Sequence, residues 1–203
     1  MSSSKFFASP GAVLVADASV LINLNASGRA EEIVMALPAR LVVAGNTVVE
    51  LENGVLRGYD DGERLRALIS AGVIGLVRIG AVAAPIYETL IDGSARLTLD
   101  DGEAATIACA IEQGGVALLD ERKARSLCAT SFASLPVRCT AEVLMHEAVA
   151  AALGSDHIAT VVRALKVGRM RVPLEHAEEL SQLIGPAHAS ECASLPKSAR
   201  RTA

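Results

Sequence analysis

The sequence predicts an α/β fold, a parallel sheet flanked by helices on both faces, with a C-terminal helical extension. Short apolar runs alternate along the chain with segments of helical periodicity, a pattern that is typical of parallel sheets. The run over residues 12–16 is continuously apolar, as expected for a strand that is buried on both faces. With 51% hydrophobic and 21% charged residues among 203, the chain can build a sizeable core, which excludes an intrinsically disordered protein.

Five strands are predicted, and helices separate them. The strands cover residues 12–16, 40–44, 74–79, 116–119 and 136–138. Helical spacing of apolar residues covers 18–24, 30–37, 46–56, 63–71, 82–91, 101–113, 121–130 and 141–153. Pro38 closes the second of these helices, Gly72 the fourth, and Gly114 with Gly115 the sixth. These elements define a predicted domain over residues 12–154, preceded by a flexible N-terminus over residues 1–11.

The helical extension is predicted over residues 155–185. It consists of two helices, 156–167 and 175–184, which Gly168 and Pro173 separate. Exposed Leu and Val residues on it are consistent with a homodimer. Residues 186–203 have no periodicity and are predicted to form a disordered tail.

Composition excludes several classes of protein. Aromatic residues make up 2% of the chain and the net charge is −4. Rows of base-stacking rings and a broadly basic surface are therefore excluded, so any contact with nucleic acid must be local.

The four cysteines lie far apart without a C-x-x-C motif, which indicates free thiols in a reducing compartment rather than a disulfide framework. No segment reaches the ~18 apolar residues of a membrane span. We therefore expect a cytoplasmic protein that does not interact with a membrane.

Two aspartates follow predicted strands directly. Asp17 comes after the first strand and Asp120 after the fourth. Ligands of open parallel sheets bind at the carboxyl ends of the strands, where both residues are placed. Either aspartate is equally well explained as the N-cap of the helix that follows it.

Two glutamates carry the same ambiguity. Glu103 shares the inward stripe of the helix over 101–113, and Glu50 lies near an inward face of the helix over 46–56. Each also fits a capping box, with Asp100 or Thr47 as its partner. Taken singly, each glutamate is better explained as a helix-start residue than as a ligand.

The four carboxylates as a set are harder to explain without a cation. At ~5 Å and an effective dielectric constant of ~20, each pair of charges costs about 3 kcal/mol. Oxygen ligands without His or Cys indicate Mg²⁺ or Mn²⁺. Ser19, two residues after Asp17, is placed to support a ligating carboxylate, or alternatively to begin the helix.

The chain resembles the PIN-domain nuclease family, and in particular its stand-alone prokaryotic branch related to VapC-type toxins. The resemblance rests on four ordered motifs, none of them specific alone. They are Val-Ala-Asp-Ala-Ser-Val-Leu-Ile-Asn-Leu at 15–24, Val-Val-Glu-Leu at 48–51, Gly-Glu-Ala-Ala-Thr-Ile at 102–107 and Leu-Leu-Asp-Glu-Arg-Lys-Ala-Arg at 118–125. Their order and spacing agree over about residues 12–150.

The resemblance implies an acidic pocket that holds Mg²⁺ or Mn²⁺ and hydrolyses RNA to 5′-phosphate and 3′-hydroxyl ends. The acids carried over, as both catalytic residues and metal ligands, are Asp17, Glu50, Glu103 and Asp120. Ser19 and Thr140 are supporting residues, although Cys139 stands where the family branch usually has Gly. Arg122, Lys123 and Arg125 are candidates for substrate phosphates, or else form a solvated helix face.

The function predicted first is a metal-dependent ribonuclease, the toxin of a toxin–antitoxin pair. A catalytically inactive PIN-like module for RNA docking or protein interaction is the alternative, although the presence of all four acids argues against it. A phosphohydrolase with Asp17 as nucleophile is disfavoured, because the chain has no P-loop, no G-x-G-x-x-G motif and no second aspartate after Asp17.

Overall fold

The fold is organised around one five-stranded sheet. The computed structural model describes residues 11–55, 58–92 and 98–200. The strands are β1 (Val13–Ala16), β2 (Arg40–Ala44), β3 (Gly75–Val77), β4 (Val116–Leu118) and β5 (Val137–Arg138). Their order is β3-β2-β1-β4-β5 and all neighbours are parallel. The predicted α/β class is confirmed.

Helices connect the strands and continue beyond the sheet. They are α1 (Ala18–Ser27), α2 (Ala30–Ala36), α3 (Gly45–Val55), α4 (Asp61–Ser70), α5 (Ala83–Ile91), α6 (Asp101–Glu112), α7 (Arg122–Ser131), α8 (Thr140–Leu144), α9 (Glu147–Leu153), α10 (His157–Lys166) and α11 (Leu174–Glu191). A 3₁₀ turn over Gly154–Asp156 joins α9 to α10.

Two hydrophobic cores lie on opposite faces of the sheet. Leu14 and Ala16 of β1 pack in one core, together with residues of α1 and of α8 to α11. Val15, between them, packs in the other core with residues of α6 and α7. The helices of the predicted extension therefore share a core with β1, and both faces of the sheet are covered.

The sheet order brings two carboxyl ends of strands side by side. The chain passes from β1 outward to β2 and β3, and then returns to place β4 on the other side of β1. The point at which strand order reverses is where open α/β sheets bind ligands. The backbone N–H of Asp17 donates to the carbonyl of Leu118 over 3.2 Å, so the ends of β1 and β4 meet at this point.

The helix predicted over 141–153 is two helices. Nδ1 of His146 accepts a hydrogen bond from the backbone N–H of Ala148 over 3.2 Å and caps α9. A side chain that satisfies a free N–H begins a new helix. The single-helix prediction is wrong for this reason.

The chain after residue 185 differs from the predicted disordered tail. Gly185 has φ +79 and interrupts α11, which then continues to Glu191. Cys192 and Leu195 are at most 1% exposed, and Ser181 Oγ donates to the carbonyl of Ala199 over 2.6 Å. Residues 186–200 are packed against the helical layer because their apolar residues are buried there. The predicted N-terminal segment up to residue 10, and residues 201–203, lie outside the described residues.

One stretch, Glu147–Lys166, is long and apolar enough by composition to cross a membrane. It consists of α9, the 3₁₀ turn and α10, and Gly154 at the turn has φ +51. Val149, Val161 and Ala164 are fully buried in the core that contains β1. The stretch is therefore explained as core helices.

Candidate functional site

Asp17 occupies the carboxyl end of β1 and caps α1. Its side chain is buried, with 4% of its surface exposed. Oδ2 accepts hydrogen bonds from the Ser19 backbone N–H over 3.2 Å and from Ser19 Oγ over 2.8 Å. Burial raises the pKa of Asp17 above its ordinary value, although the bonds from Ser19 oppose the shift. Asp17 is therefore both a helix cap and a buried, oriented carboxylate.

Asp120 lies after β4 and is held from two sides. The backbone N–H of Thr140 donates to Oδ1 over 2.8 Å, and Thr140 Oγ1 donates to Oδ2 over 2.6 Å. The side-chain amide of Asn23 donates to the same Oδ2 over 2.7 Å. Burial raises the pKa of Asp120, and the bonds from Thr140 and Asn23 oppose the shift.

Asn23 is a site residue that the sequence prediction missed. It is 4% exposed and lies in the apolar run of α1, within one of the motifs of the family resemblance. A buried amide in such a run needs a hydrogen-bond partner. This requirement could have marked Asn23 as a site residue, but the sequence does not show that its partner is Asp120, 97 residues away.

Glu50 reaches the same place from α3. A Cβ atom on Gly102 would lie 2.4 Å from Glu50 Oε2 and 3.3 Å from Asp17 Oδ1. The two carboxylates thus converge on the first turn of α6, where Gly102 leaves room for them as they are placed. Glu50 as a whole residue is exposed, but partial burial of its carboxyl, followed by the charge of Asp17, raises the pKa of Glu50.

The capping-box interpretation of Glu50 is wrong. Helix α3 begins at Gly45, two residues before Thr47, the proposed cap. Thr47 Oγ1 is buried and has no hydrogen-bond partner among the described residues. Glu50 therefore does not take part in a capping box with Thr47.

Glu103 lies in the first turn of α6 and is 8% exposed. Its Oε2 accepts a long hydrogen bond from the backbone N–H of Asp100, at 3.4 Å. Burial, followed by the charge of Asp17, raises the pKa of Glu103 to about 7. The predicted capping contact exists, and it does not exclude a ligand role because a carboxylate has a second oxygen.

Asp17 is the centre of the group. After burial, its charge contributes to the raised pKa of Glu50, Glu103 and Asp120 alike. No three of the four carboxylates have oxygens that all lie within 4.8 Å of one another, as expected where like charges repel. The oxygen-only donor set fits Mg²⁺ or Mn²⁺, and a cation of this kind would offset the repulsion.

A second group of potential ligands has a different role. Cys139, Glu142 and His176 have ligand atoms within 4.8 Å of one another. Glu142 is already compensated, because Arg138 Nε lies 3.4 Å from one of its oxygens and His176 Nε2 lies 3.6 Å from the other. Burial raises the pKa of the Cys139 thiol, which keeps it protonated. The group is a polar cluster that links α11 to α8.

A basic groove begins at Asp120. It encloses about 740 Å³ between α7 and the start of α11, and Arg122, Arg125 and Arg171 line it. Arg125 pairs with Glu175 at 2.7 Å, and Arg171 pairs with Glu121.

Lys123, predicted with the two arginines of α7, does not line the groove, and its ammonium donates to the carbonyl of Thr98. Arg171 was missed because nothing in the sequence places it near Asp120.

We expect the metal-free protein to lose stability as the pH rises from 5.5 to 8. The pKa of Glu103 is 4.5 ordinarily and about 7 in the folded chain. Between these pH values Glu103 is protonated in the folded state and ionised in the unfolded state. Its contribution to the free energy of unfolding falls by about 2 kcal/mol as the pH rises from 5.5 to 8. Urea unfolding in EDTA at both pH values measures the change.

Glu103→Gln should unfold with a smaller pH dependence than the parent and be more stable than the parent at pH 8. The exposed Glu31, on α2, provides the control, and Glu31→Gln should behave as the parent does. Equal pH dependence in the parent and in Glu103→Gln would contradict the raised pKa of Glu103.

A family model described as PIN domain matches residues 13–186. The match runs from β1 through α10 and most of α11, and therefore covers most of the chain. Neither the curated proteins nor the solved structures compared with the chain gave a match.

Proposed function

The chain belongs to the PIN-domain family, a family of nucleases, and from this premise we propose that it is a metal-dependent ribonuclease that hydrolyses RNA phosphodiester bonds. The observation that carries the proposal is the convergence of Asp17 and Glu50 on Gly102. Asp17, Glu103 and Asp120 are buried at the same sheet edge, and Glu50 adds a fourth charge beside them. Buried carboxylates are costly, and the binding of a divalent cation offsets that cost.

Asp17, Glu50, Glu103 and Asp120 are the residues that would hold Mg²⁺ or Mn²⁺. Such a cation, when bound, supplies the positive charge that activates water and neutralises phosphoryl oxygens. The chain contributes orientation. Ser19 fixes the carboxylate of Asp17, and Thr140 with Asn23 fixes that of Asp120. Side chains that orient ligands in this way preserve metal affinity and activity.

The basic groove supports a nucleic-acid substrate. The net charge of the chain is −4, so binding depends on local positive charge. Two of the arginines that line the groove are paired, Arg125 with Glu175 and Arg171 with Glu121. Arg122 is exposed and forms no ion pair with the residues that the structure describes. We assign Arg122 to the backbone of the substrate as it leaves the acidic residues.

Arg122→Gln should weaken RNA binding uniformly across sequences and lower the slope of log K against log[salt] by about one. Lys123→Gln is the matched control, because Lys123 is the next residue, carries the same charge and lies outside the groove. The measurement is the affinity for a labelled RNA in EDTA over a range of salt concentrations. Identical slopes for both variants would show that Arg122 does not contact the backbone of the RNA.

Cleavage of end-labelled RNA by EDTA-stripped protein tests the proposed activity. We expect no cleavage until Mn²⁺ or Mg²⁺ is added, and products with 5′-phosphate and 3′-hydroxyl ends. Full activity without metal would contradict the proposal. Binding of RNA without cleavage at any metal concentration would favour the inactive docking module. Cleavage of single-stranded DNA but not of RNA would show that DNA is the substrate.

We further propose that the protein acts in the cytoplasm as the toxin of a toxin–antitoxin pair, as VapC-type proteins do. Exposed Val167 and Leu174, at 64% and 76%, support contact with an antitoxin or a second copy of the chain. A short reading frame upstream that encodes a DNA-binding protein would support the pairing. Co-expression of that product should then inhibit RNA cleavage, and failure to inhibit would argue against it.

A further inference from the structure

A cavity of about 490 Å³ lies beside Glu50. The other three acids of the site, Asp17, Glu103 and Asp120, do not line it. Its walls come from Ile22 of α1, from Leu51 and Gly54 of α3, and from Tyr59, which precedes α4. Small-molecule sites typically enclose about 300–1,000 Å³ and combine apolar walls with a few polar groups. The size and lining of this cavity therefore suit a flat organic group that extends from the acidic residues.

Tyr59 is held in place and remains open to solvent. Its backbone N–H donates to the carbonyl of Gly54 over 3.3 Å, and a Cβ atom on Gly54 would lie 3.9 Å from Tyr59 Cβ and 4.0 Å from Cδ2. The residue is nevertheless 63% exposed, in a chain that has only two tyrosines and no tryptophan. Isolated exposed aromatic residues are ordinary, but this one borders a cavity shared with Glu50.

The polar groups that the structure describes around the cavity do not favour a phosphate as its occupant. Glu50 and Asp61 line it, and no basic side chain does so among the residues described. The exposed amide of Asn53 also lines it and forms no hydrogen bond within the described parts of the chain. An amide presents a donor and an acceptor together, and this pairing matches the edge of a nucleobase.

We propose that this cavity binds a nucleobase that flanks the phosphate at the acidic residues, with the base stacked on Tyr59 and its edge facing Asn53. The inference rests on the proposed ribonuclease function and deepens it. Stacking accepts any base because every base has a π-face, and Asn53 would add a preference among bases. Tyr59 would thus position the substrate by stacking, and stacking requires a base that is not paired in a duplex.

Tyrosine fluorescence tests the binding step without catalysis. Tyr87→Phe leaves Tyr59 as the only tyrosine in a chain without tryptophan. A 2′-O-methyl oligonucleotide, added in EDTA, should quench this emission saturably, and a sugar–phosphate oligomer without bases should not. Tyr59→Phe, in which Tyr87 is the only reporter, controls for absorption by the bases and should show no saturable quenching.

Cleavage kinetics supply the second readout. Tyr59→Ala should raise KM about tenfold, equivalent to about 1.4 kcal/mol, whereas Tyr59→Phe should keep the KM of the parent. Val82→Ala, which removes another exposed apolar side chain away from the cavity, should leave KM unchanged. Circular dichroism confirms that each variant is folded.

The outcomes separate this inference from the proposed function. Metal-dependent cleavage with a parent-like KM in Tyr59→Ala, or equal quenching in both single-tyrosine proteins, would overturn the base site and leave the ribonuclease in place. Saturable, base-dependent quenching of Tyr59 without any cleavage would retain the base site and overturn the ribonuclease.

Discussion

Asp17→Asn should abolish RNA cleavage, by about a thousandfold or more, and should also stabilise the metal-free protein at pH 8. The amide retains an oxygen that accepts the hydrogen bonds from Ser19 but loses the charge that burial opposes. It also removes the charge that raises the pKa of Glu50, Glu103 and Asp120. A thousandfold loss of rate corresponds to about 4 kcal/mol of transition-state stabilisation.

Cleavage rates and melting temperatures in EDTA measure both effects. Added Mn²⁺ should raise the melting temperature of the parent more than that of Asp17→Asn, because only a ligand that binds the folded state stabilises it. Asp92→Asn, at an exposed position after α5, should match the parent throughout. A variant that melts much earlier than the parent in EDTA would instead make Asp17 a helix cap alone.

Glu50→Gln should reduce turnover at least tenfold at limiting Mn²⁺, equivalent to about 1.4 kcal/mol. A hard cation needs the charge of the carboxylate as well as its oxygen. Glu52→Gln is the matched control, since Glu52 lies on the same helix and forms an ion pair with Arg66 at 3.4 Å. Initial rates over a Mn²⁺ titration distinguish the two variants.

Glu103→Gln should show a similar loss of turnover, because its capping bond to Asp100 tolerates an amide and metal binding does not. Parent-like rates for both Glu50→Gln and Glu103→Gln at limiting metal would reduce the site to Asp17 and Asp120. Two carboxylates are too few for the proposed cation chemistry.

The local sequence predicted most of the fold because short, mainly apolar runs between chain breakers mark the strands. The alternation of Leu14, Val15 and Ala16 between two cores requires helices on both faces, which the helical segments supply. The aspartates were found for the same reason, since the ends of neighbouring parallel strands share one edge of the sheet. His146 was missed because a histidine cap is uncommon and leaves no clear signal.

The parts of the site that the sequence did not predict depend on contacts between distant segments. Asn23 and Asp120 meet only once β1 and β4 are neighbours. Arg171 reaches the groove because the extension shares a core with β1. The convergence on Gly102 requires α3 and α6 to pack together, and spacing along the chain gives no measure of that distance.

Binding of Mn²⁺ to EDTA-stripped protein without RNA, followed by electron paramagnetic resonance, tests the central claim most directly. The site proposed here predicts saturable binding by the parent, strongly weakened binding by Asp17→Asn, and parent-like binding by Cys139→Ser, which alters the polar cluster with Glu142 and His176 and leaves the acids in place. Parent-like binding by Asp17→Asn, together with loss of binding by Cys139→Ser, would contradict it.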